Sequence, residues 1–291
     1  MSSILYREIL LIKHTKFSSY DGKTSLFSLP NTIKLNNPIL IAGFPGPGLV
    51  GSISINYIIK KLEMHQIICF ESEFIVPGVI FMDGKLRHPF RIYSNLEGTI
   101  CALVCEAPIL VHGMHSVVDA LAKWVEDIGI SEVFVIEGMA IQRVSNTDIN
   151  AQQIFNAERN PIILSSGEGK IIHSDNRKKN LNIHSLIEGS TTFIGGIAGG
   201  LLSSCLSHNI SCSVIYIPTQ TGIPDPEGAA ITIELLENTI GNDNFKIDTT
   251  ELRKEGQFIK DQLSNLIRSI KLQQDQSQLP PEVKQDAVMY S

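Results

Sequence analysis

The chain has 291 residues, enough for one large domain or two small ones with a buried core. With 43% hydrophobic and 19% charged residues it has the make-up of a globular protein, not a disordered one. A formal net charge of −6 and the lack of any basic run argue against a nucleic-acid surface.

In chain order, the amino-terminal MSSILYREILLIKHTKF mixes charges into its apolar residues and lacks a signal-peptide pattern. NPILIAGF (37–44) is the short apolar run of a buried strand. A Gly/Pro loop follows, and LVGSISINYIIKKL then has helical spacing. QIICF (66–70) is strand-like. VIFM, a turn at Asp83-Gly84-Lys85, FRIYS, a second turn at Asn95–Gly98 and TICALVCE read as antiparallel hairpins. HSVVDALAKWVEDIGI (115–130) is amphipathic and ends at a glycine, as a helix does, and EVFVIEGM is another strand. Residues 143–182 are polar, with a hairpin turn expected at 165–170. GSTTFIGGIAGGLLSSCL (189–206) is free of charge, but it is short for a membrane span of about 20 residues and rich in Gly and Ser. A buried core helix is expected there, and no membrane partner. CSVIYIPT (212–219) is a strand, and PDPEGAAITIELLENTI a helix with Pro226 near its start. Strand–helix alternation with a few hairpins predicts an α/β fold: a mostly parallel sheet with helices on both faces.

Asp248-Thr249-Thr250-Glu251 opens a last helix. Its Leu252, Gly256, Ile259, Leu263, Leu266 and Ile270 make one narrow apolar stripe. Such a stripe packs on the protein's own body or forms a short coiled-coil contact with another subunit. Pro280-Pro281 and the polar composition after residue 273 suit a tether. The expected organisation is a core over 1–245, a helix over 246–274 and a tail over 275–291. The five cysteines, Cys69, Cys101, Cys105, Cys205 and Cys212, have no metal-ligand spacing, and their odd number in apolar surroundings suits reduced core thiols in the cytoplasm.

GFPGPGLVG (43–51) lies between a strand and a helix, and Gly46-x-Gly48-x-x-Gly51 matches a dinucleotide fingerprint, with Glu71 about 20 residues on as the ribose-binding acid. Two features oppose that reading. The fingerprint begins about three residues past the strand, and Pro45 and Pro47 lack the N–H donors that a phosphate cradle needs. Gly43, Gly46, Gly48 and Gly51 are expected instead to shape a structural turn. His112 and His115 straddle a loop without a third ligand, so no metal is expected, and no cofactor. Glu106 and Glu137 follow strands, where α/β folds place ligand sites.

GFPGPGLVGSI resembles the signature of the second-type proteasome assembly chaperone family, a strand leading into a G-[FW]-P-x-x-G-x-V-G turn and a helix. PTQTGIPDPEGAAITIELLENT resembles the other recurrent segment of that family. The resemblance implies an α/β protein, related in fold to nucleoside phosphorylases, that helps to assemble the proteasome α-ring. Met289-Tyr290-Ser291 then reads as an HbYX motif (hydrophobic, Tyr, any residue), which proteasome activators dock between α-subunits. The carboxylate can pair with a pocket lysine, the Tyr ring can fill an apolar slot, and Met289 adds contact. The resulting expectation is a non-enzymatic, homo-oligomeric protein that binds 20S proteasome α-subunits through its tail. The alternative is a small-molecule enzyme using the glycine-rich turn, Glu106 and Glu137.

Overall fold

Four apolar runs too rich in Val, Ile, Leu and Ala to face water on either side fix the middle of the molecule. They are β3 (Ile39–Gly43), β8 (Ile100–Cys105), β9 (Glu132–Ala140) and β11 (Ser211–Thr219). In this computed structural model, which describes residues 16–29, 33–82, 84–140, 161–166, 193–241 and 245–277, they lie parallel in the order β8-β3-β9-β11. Five further strands widen the sheet. On one side are β7 (Phe90–Ser94), β4 (His65–Ser72), β2 (Thr24–Ser28) and β1 (Lys16–Ser18), and on the other β10 (Ile162–Ser165).

All five of these additions pair antiparallel, so the sheet is mixed, and the expectation of a mostly parallel one is corrected. For the β1–β2 and β7–β8 pairs the reason is connection length. A parallel neighbour needs a crossover of a dozen or more residues, whereas only residues 19–23 join β1 to β2 and only 95–99 join β7 to β8. The β1–β2 hairpin was not anticipated because KFS and TSLFS are short and hydroxyl-rich. Its signal was Asp21-Gly22, where Gly22 takes φ 70° and its N–H donates to the Ser19 carbonyl.

The β7–β8 hairpin is as expected. VIFM, however, does not pair with FRIYS. β5 (Ile80–Met82) pairs with β6 (Lys85–Arg87) as a separate two-stranded hairpin, and FRIYS lies between β4 and β8 in the main sheet.

Helices cover both faces. α2 (Met114–Ile128) and α3 (Gly196–Ser207) pack on the face formed by Phe90, Ile92, Leu103, Val133, Val135 and Val214. α1 (Val50–Lys61), α4 (Pro226–Ile240) and the start of α5 (Thr250–Ser277) pack on the face of Ile41, Ala102, Val104, Phe134, Ile136 and Ile215. Residues 196–206 of the charge-free stretch lie in α3, whose Leu201, Leu202 and Cys205 are buried. Its small residues permit the approach to α2, since a Cβ on Gly200 would lie 2.6 Å from a Val118 methyl. Among the described residues no helix is long and apolar enough to cross a membrane.

α5 is tied to α4 by Arg253, which donates to both oxygens of Glu234, and by the Lys260–Glu227 ion pair. Of the apolar stripe, Leu252 and Gly256 are buried and Ile259 is half-buried. The side chains of Leu263, Leu266 and Ile270 lie outside what is described, as do the turn residues 167–170, most of the polar stretch 143–182 and residues 278–291.

The turn of the β7–β8 hairpin depends on buried Asn95, whose Oδ1 accepts from Thr99 N and Ile100 N (both 2.9 Å) while Nδ2 donates to Thr99 Oγ1. Asn95→Ala is expected to cost about 1–3 kcal/mol, because it leaves buried donors unpaired. Calorimetry should show Tm lowered by several degrees, with Asn95→Asp milder because it retains the acceptor.

Candidate functional site

The carboxyl ends of the parallel strands are where this class of sheet presents ligand sites. β3 runs out through Phe44-Pro45-Gly46 into a single 3₁₀ turn, Pro47–Leu49, and then α1. A Cβ on Gly43 would lie 2.3 Å from the Gly51 carbonyl oxygen, and one on Gly51 would lie 2.7 Å from that of Ile136. The first turn of α1 thus rests directly on the strand ends. Gly48 has φ 64°, and a Cβ there would lie 2.3 Å from Thr219 Oγ1. Gly46 is extended and less constrained, with Glu137 Oε2 at an ordinary 3.4 Å from where its Cβ would be.

The turn is locked from the far side. Asp225 N donates to the Gly48 carbonyl (2.8 Å), Thr219 Oγ1 donates to Asp225 Oδ2 (2.6 Å), and Asp225 Oδ1 caps α4 by accepting from Gly228 N (2.9 Å). Pro47–Leu49 lies directly against the end of β9: its Pro47 carbonyl is 2.1 Å from where a Cβ on Gly138 would be. Leu49 N is spent on the Gly46 carbonyl. Glu71 does not complete a fingerprint, because β4 is separated from β3 by β7 and β8.

The two strand-end carboxylates do not converge. Glu106, one residue past Cys105, faces α1. Its Oε2 is 2.6 Å from Arg91 Nη1 as an ion pair, and its Oε1 accepts from Asn56 Nδ2 (2.9 Å). Arg91, fully buried on β7, also donates to the Tyr93 hydroxyl (2.9 Å) and the His88 carbonyl (2.7 Å). Tyr93 accepts a second bond from Arg87 of β6 (3.0 Å). This cluster consumes the Glu106 carboxylate. Removing one partner of such a buried pair typically costs about 3–5 kcal/mol, which fits a structural part rather than a free base.

Glu137 follows Val133 and Val135 in the strand alternation and so lies on the opposite, α2–α3 face. Among the described residues no cation or hydrogen bond reaches it, and burial pushes its carboxyl up to about 7. Its register partner on β11 is Tyr216, whose phenol is pushed up to about 12 by burial and then by the charge of Glu137.

The remaining candidates form no catalytic group. His112 lies edge-on to the Phe74 ring, and His115 lines a cleft between α2, α3 and the β1–β2 turn with Tyr20, Asp119 and His208. Among the described residues no group of three or more potential metal ligands comes together. All five thiols are free and buried. Burial pushes Cys101 and Cys105 up to about 12, while a hydrogen bond between Cys205 and Cys212 raises the first and lowers the second. Arg91, Asn56 and Tyr93 were not singled out from sequence. The available signal was a charged residue between Phe90 and Ile92, in the middle of a strand bounded by turns.

Two outcomes follow from this geometry. Gly48→Ala and Gly51→Ala should each lower Tm by several degrees in calorimetry, while NAD or ATP should leave the Tm of the wild type unchanged. The second concerns pH. Glu137 ionises near 4.5 when unfolded and near 7 when folded, so the folded state holds an extra proton between those values. Stability therefore falls as pH rises from about 4.5 to about 7 and stays lower above it. Glu137→Gln removes this fall and should gain on the order of 3 kcal/mol relative to wild type at pH 8. Parallel stability–pH profiles from denaturant titrations would contradict it.

The geometry can be set beside known proteins. The sequence profile of the PAC2 family matches residues 40–267. The uncharacterised protein MJ0106 of Methanocaldococcus jannaschii is 28% identical over 242 residues, covering 80% of this chain and 87% of that protein. Among solved structures, Pyrococcus furiosus PbaA, an archaeal homologue of proteasome-assembly chaperone, superposes with a TM-score of 0.65 at 21% identity, covering 88% of this chain and 96% of PbaA. PbaB of the same organism, an archaeal proteasome activator, superposes with a TM-score of 0.63 at 17% identity, covering 84% and 98%. At these identities PbaA and PbaB show a shared fold. With the profile spanning more than half of its residues, including the glycine-rich turn, the sealed strand ends and the first part of α5, the chain belongs to the PAC2 family.

Proposed function

We propose that this chain is a non-enzymatic, proteasome-directed chaperone or activator-like protein that docks on the 20S α-ring through Met289-Tyr290-Ser291. The observation that carries the reading is the occurrence, in one chain, of a PAC2 body and this tripeptide. The fold it shares with a proteasome-assembly chaperone homologue and a proteasome activator points the same way. On this reading the glycine-rich turn formed by Gly43, Gly46, Gly48 and Gly51 is architectural, residues 1–245 form the core, 246–274 an arm and 275–291 the docking tail, and the protein works in the cytoplasm as a homo-oligomer. A second reading rests on Glu137 alone. An unneutralised carboxyl at a strand end suits a small-ligand pocket, and the implied kinship to nucleoside phosphorylases would make nucleosides the class to screen.

The tail reading requires the Ser291 carboxylate at a fixed distance from the Tyr290 ring. Appending one Gly after Ser291 retains every side chain and displaces only the charge. It should reduce capture of purified 20S particles at least ten-fold, as should Tyr290→Ala, with Tyr290→Phe milder and Tm unchanged in all three. Undiminished capture by the Gly-extended protein would refute carboxylate-anchored docking. Saturable thermal stabilisation by a nucleoside, lost in Glu137→Gln, would favour the second reading.

A further inference from the structure

Arg87, Arg91 and Tyr93 gather more positive charge in one place than the described residues neutralise. Arg91 and Tyr93, two apart on β7, share the face toward α1, and Arg87 reaches them from the end of β6 across the short link His88-Pro89. Both guanidiniums donate to the same phenol oxygen, Arg87 through Nη1 (3.0 Å) and Arg91 through Nε (2.9 Å). Arg91 spends its other nitrogens on the His88 carbonyl, Glu106 and Asn56 Oδ1. Glu106 has both of its oxygens taken in turn, by Arg91 and by Asn56 Nδ2. Among the described residues no carboxylate pairs with Arg87.

Two donors are left over. Arg87 Nε is withdrawn from solvent and has no hydrogen-bond partner among the described residues. With Nη1 committed to Tyr93, the unspent edge of this guanidinium is Nε with Nη2, the side-by-side pair of N–H groups that grips a carboxylate through both oxygens. The Tyr93 hydroxyl, whose oxygen receives both arginines, retains its own hydrogen with no acceptor among the described residues. A buried donor without a partner destabilises the fold, so one that persists needs a physical reason.

We infer that the Arg87 edge, with the Tyr93 hydroxyl beside it, is a binding site for the carboxylate of a small ligand. Charge selects carboxylate over phosphate. Arg87 and Arg91 bring two positive charges and Glu106 removes one, so a singly charged guest completes the balance. A phosphate group would leave excess negative charge in a half-buried place. The site is also pre-formed. Arg91 is fully buried and held by Tyr93, His88, Glu106 and Asn56, so Tyr93 is fixed before any ligand arrives, while half-buried Arg87 leaves the site open on one side. It lies on the face opposite Glu137 and rests neither on the tail nor on the second reading.

Titration of the full chain with sodium acetate and sodium succinate, against sodium chloride at equal ionic strength near neutral pH, tests it. The Arg87 Nε–Hε resonance in proton–nitrogen correlation spectra, assigned through bonds, should shift saturably with a midpoint in the millimolar range, and Tm should rise with the same midpoint. Arg87→Lys retains the charge but lacks the fork, and should weaken the midpoint roughly ten-fold or more, as should Arg87→Gln. Should either variant fail to fold, the wild-type resonance decides alone. Sodium phosphate should bind more weakly than both carboxylates. A resonance that chloride moves as far as acetate does, an unaltered titration in Arg87→Lys, or phosphate binding as tight as the carboxylates overturns the inference. None of these results bears on 20S capture by the Gly-extended protein or on nucleoside stabilisation through Glu137.

Discussion

The backbone contact between Gly43 and Gly51 is the constraint on which the carboxyl edge of the sheet depends. A Cβ on Gly43 would lie 2.3 Å from the Gly51 carbonyl oxygen and one on Gly51 2.7 Å from that of Ile136, so neither position can bear a side chain without shifting α1 away from the strand ends. The placement of α1 has two consequences further along the helix. It brings Asn56 to Glu106, completing the Arg91 cluster, and it brings the Tyr57 hydroxyl 2.7 Å from the Asp248 carbonyl at the start of α5. One close backbone approach therefore positions a buried ion pair on one side and the carboxy-terminal helix on the other.

The same approach removes what an enzyme of this class would use. A nucleotide-binding edge needs open N–H groups and an unspent carboxylate near a crevice. Here two of the turn positions are prolines, Leu49 N is spent internally, and Asp225 is committed to both Thr219 and the cap of α4. Glu106 is neutralised by a guanidinium. Glu137 is the exception: among the described residues no cation or hydrogen bond reaches it, and burial raises its carboxyl toward neutrality. A carboxyl with that property lowers stability above neutral pH.

The parts of this structure legible in the sequence were those governed by short-range rules. The alternation of strands and helices, the Gly129 helix end and Pro226 at the start of α4 could each be placed from local spacing. Pairing partners were less accessible. FRIYS looks the same whether it joins VIFM or QIICF, and only the competition for a place beside β8 decides it. Glu106 and Glu137 look equivalent in VCEA and VIEG. They differ by register: Gly43 pairs with Val104 and with Ile136, so Glu106 lies two residues beyond that point and Glu137 one, which puts them on opposite faces. Arg91 was missed for the same reason: its partner Glu106 comes from a neighbouring strand and Asn56 from a helix 35 positions earlier, so no window of sequence contains the cluster.

Quantity connects the proposed tail to the proposed homo-oligomer. Burying one Tyr removes roughly 150–250 Å² from water, a gross gain of about 4–6 kcal/mol at about 25 cal/mol per Å². A charge-assisted hydrogen bond adds about 1.5–3 kcal/mol, and association costs about 4–15 kcal/mol. A single tail therefore comes out between unfavourable and weakly favourable, and cannot hold a large ring by itself. Tails borne on one assembly escape most of that association cost after the first has bound, and linkage of this kind raises apparent affinity by about 10²–10⁴ without any new contact. Under the proposed function, self-association and a weak tail motif are then complementary requirements. The first supplies the number of tails that the second needs to act, and a monomer with the same tripeptide would bind too weakly for the motif to matter.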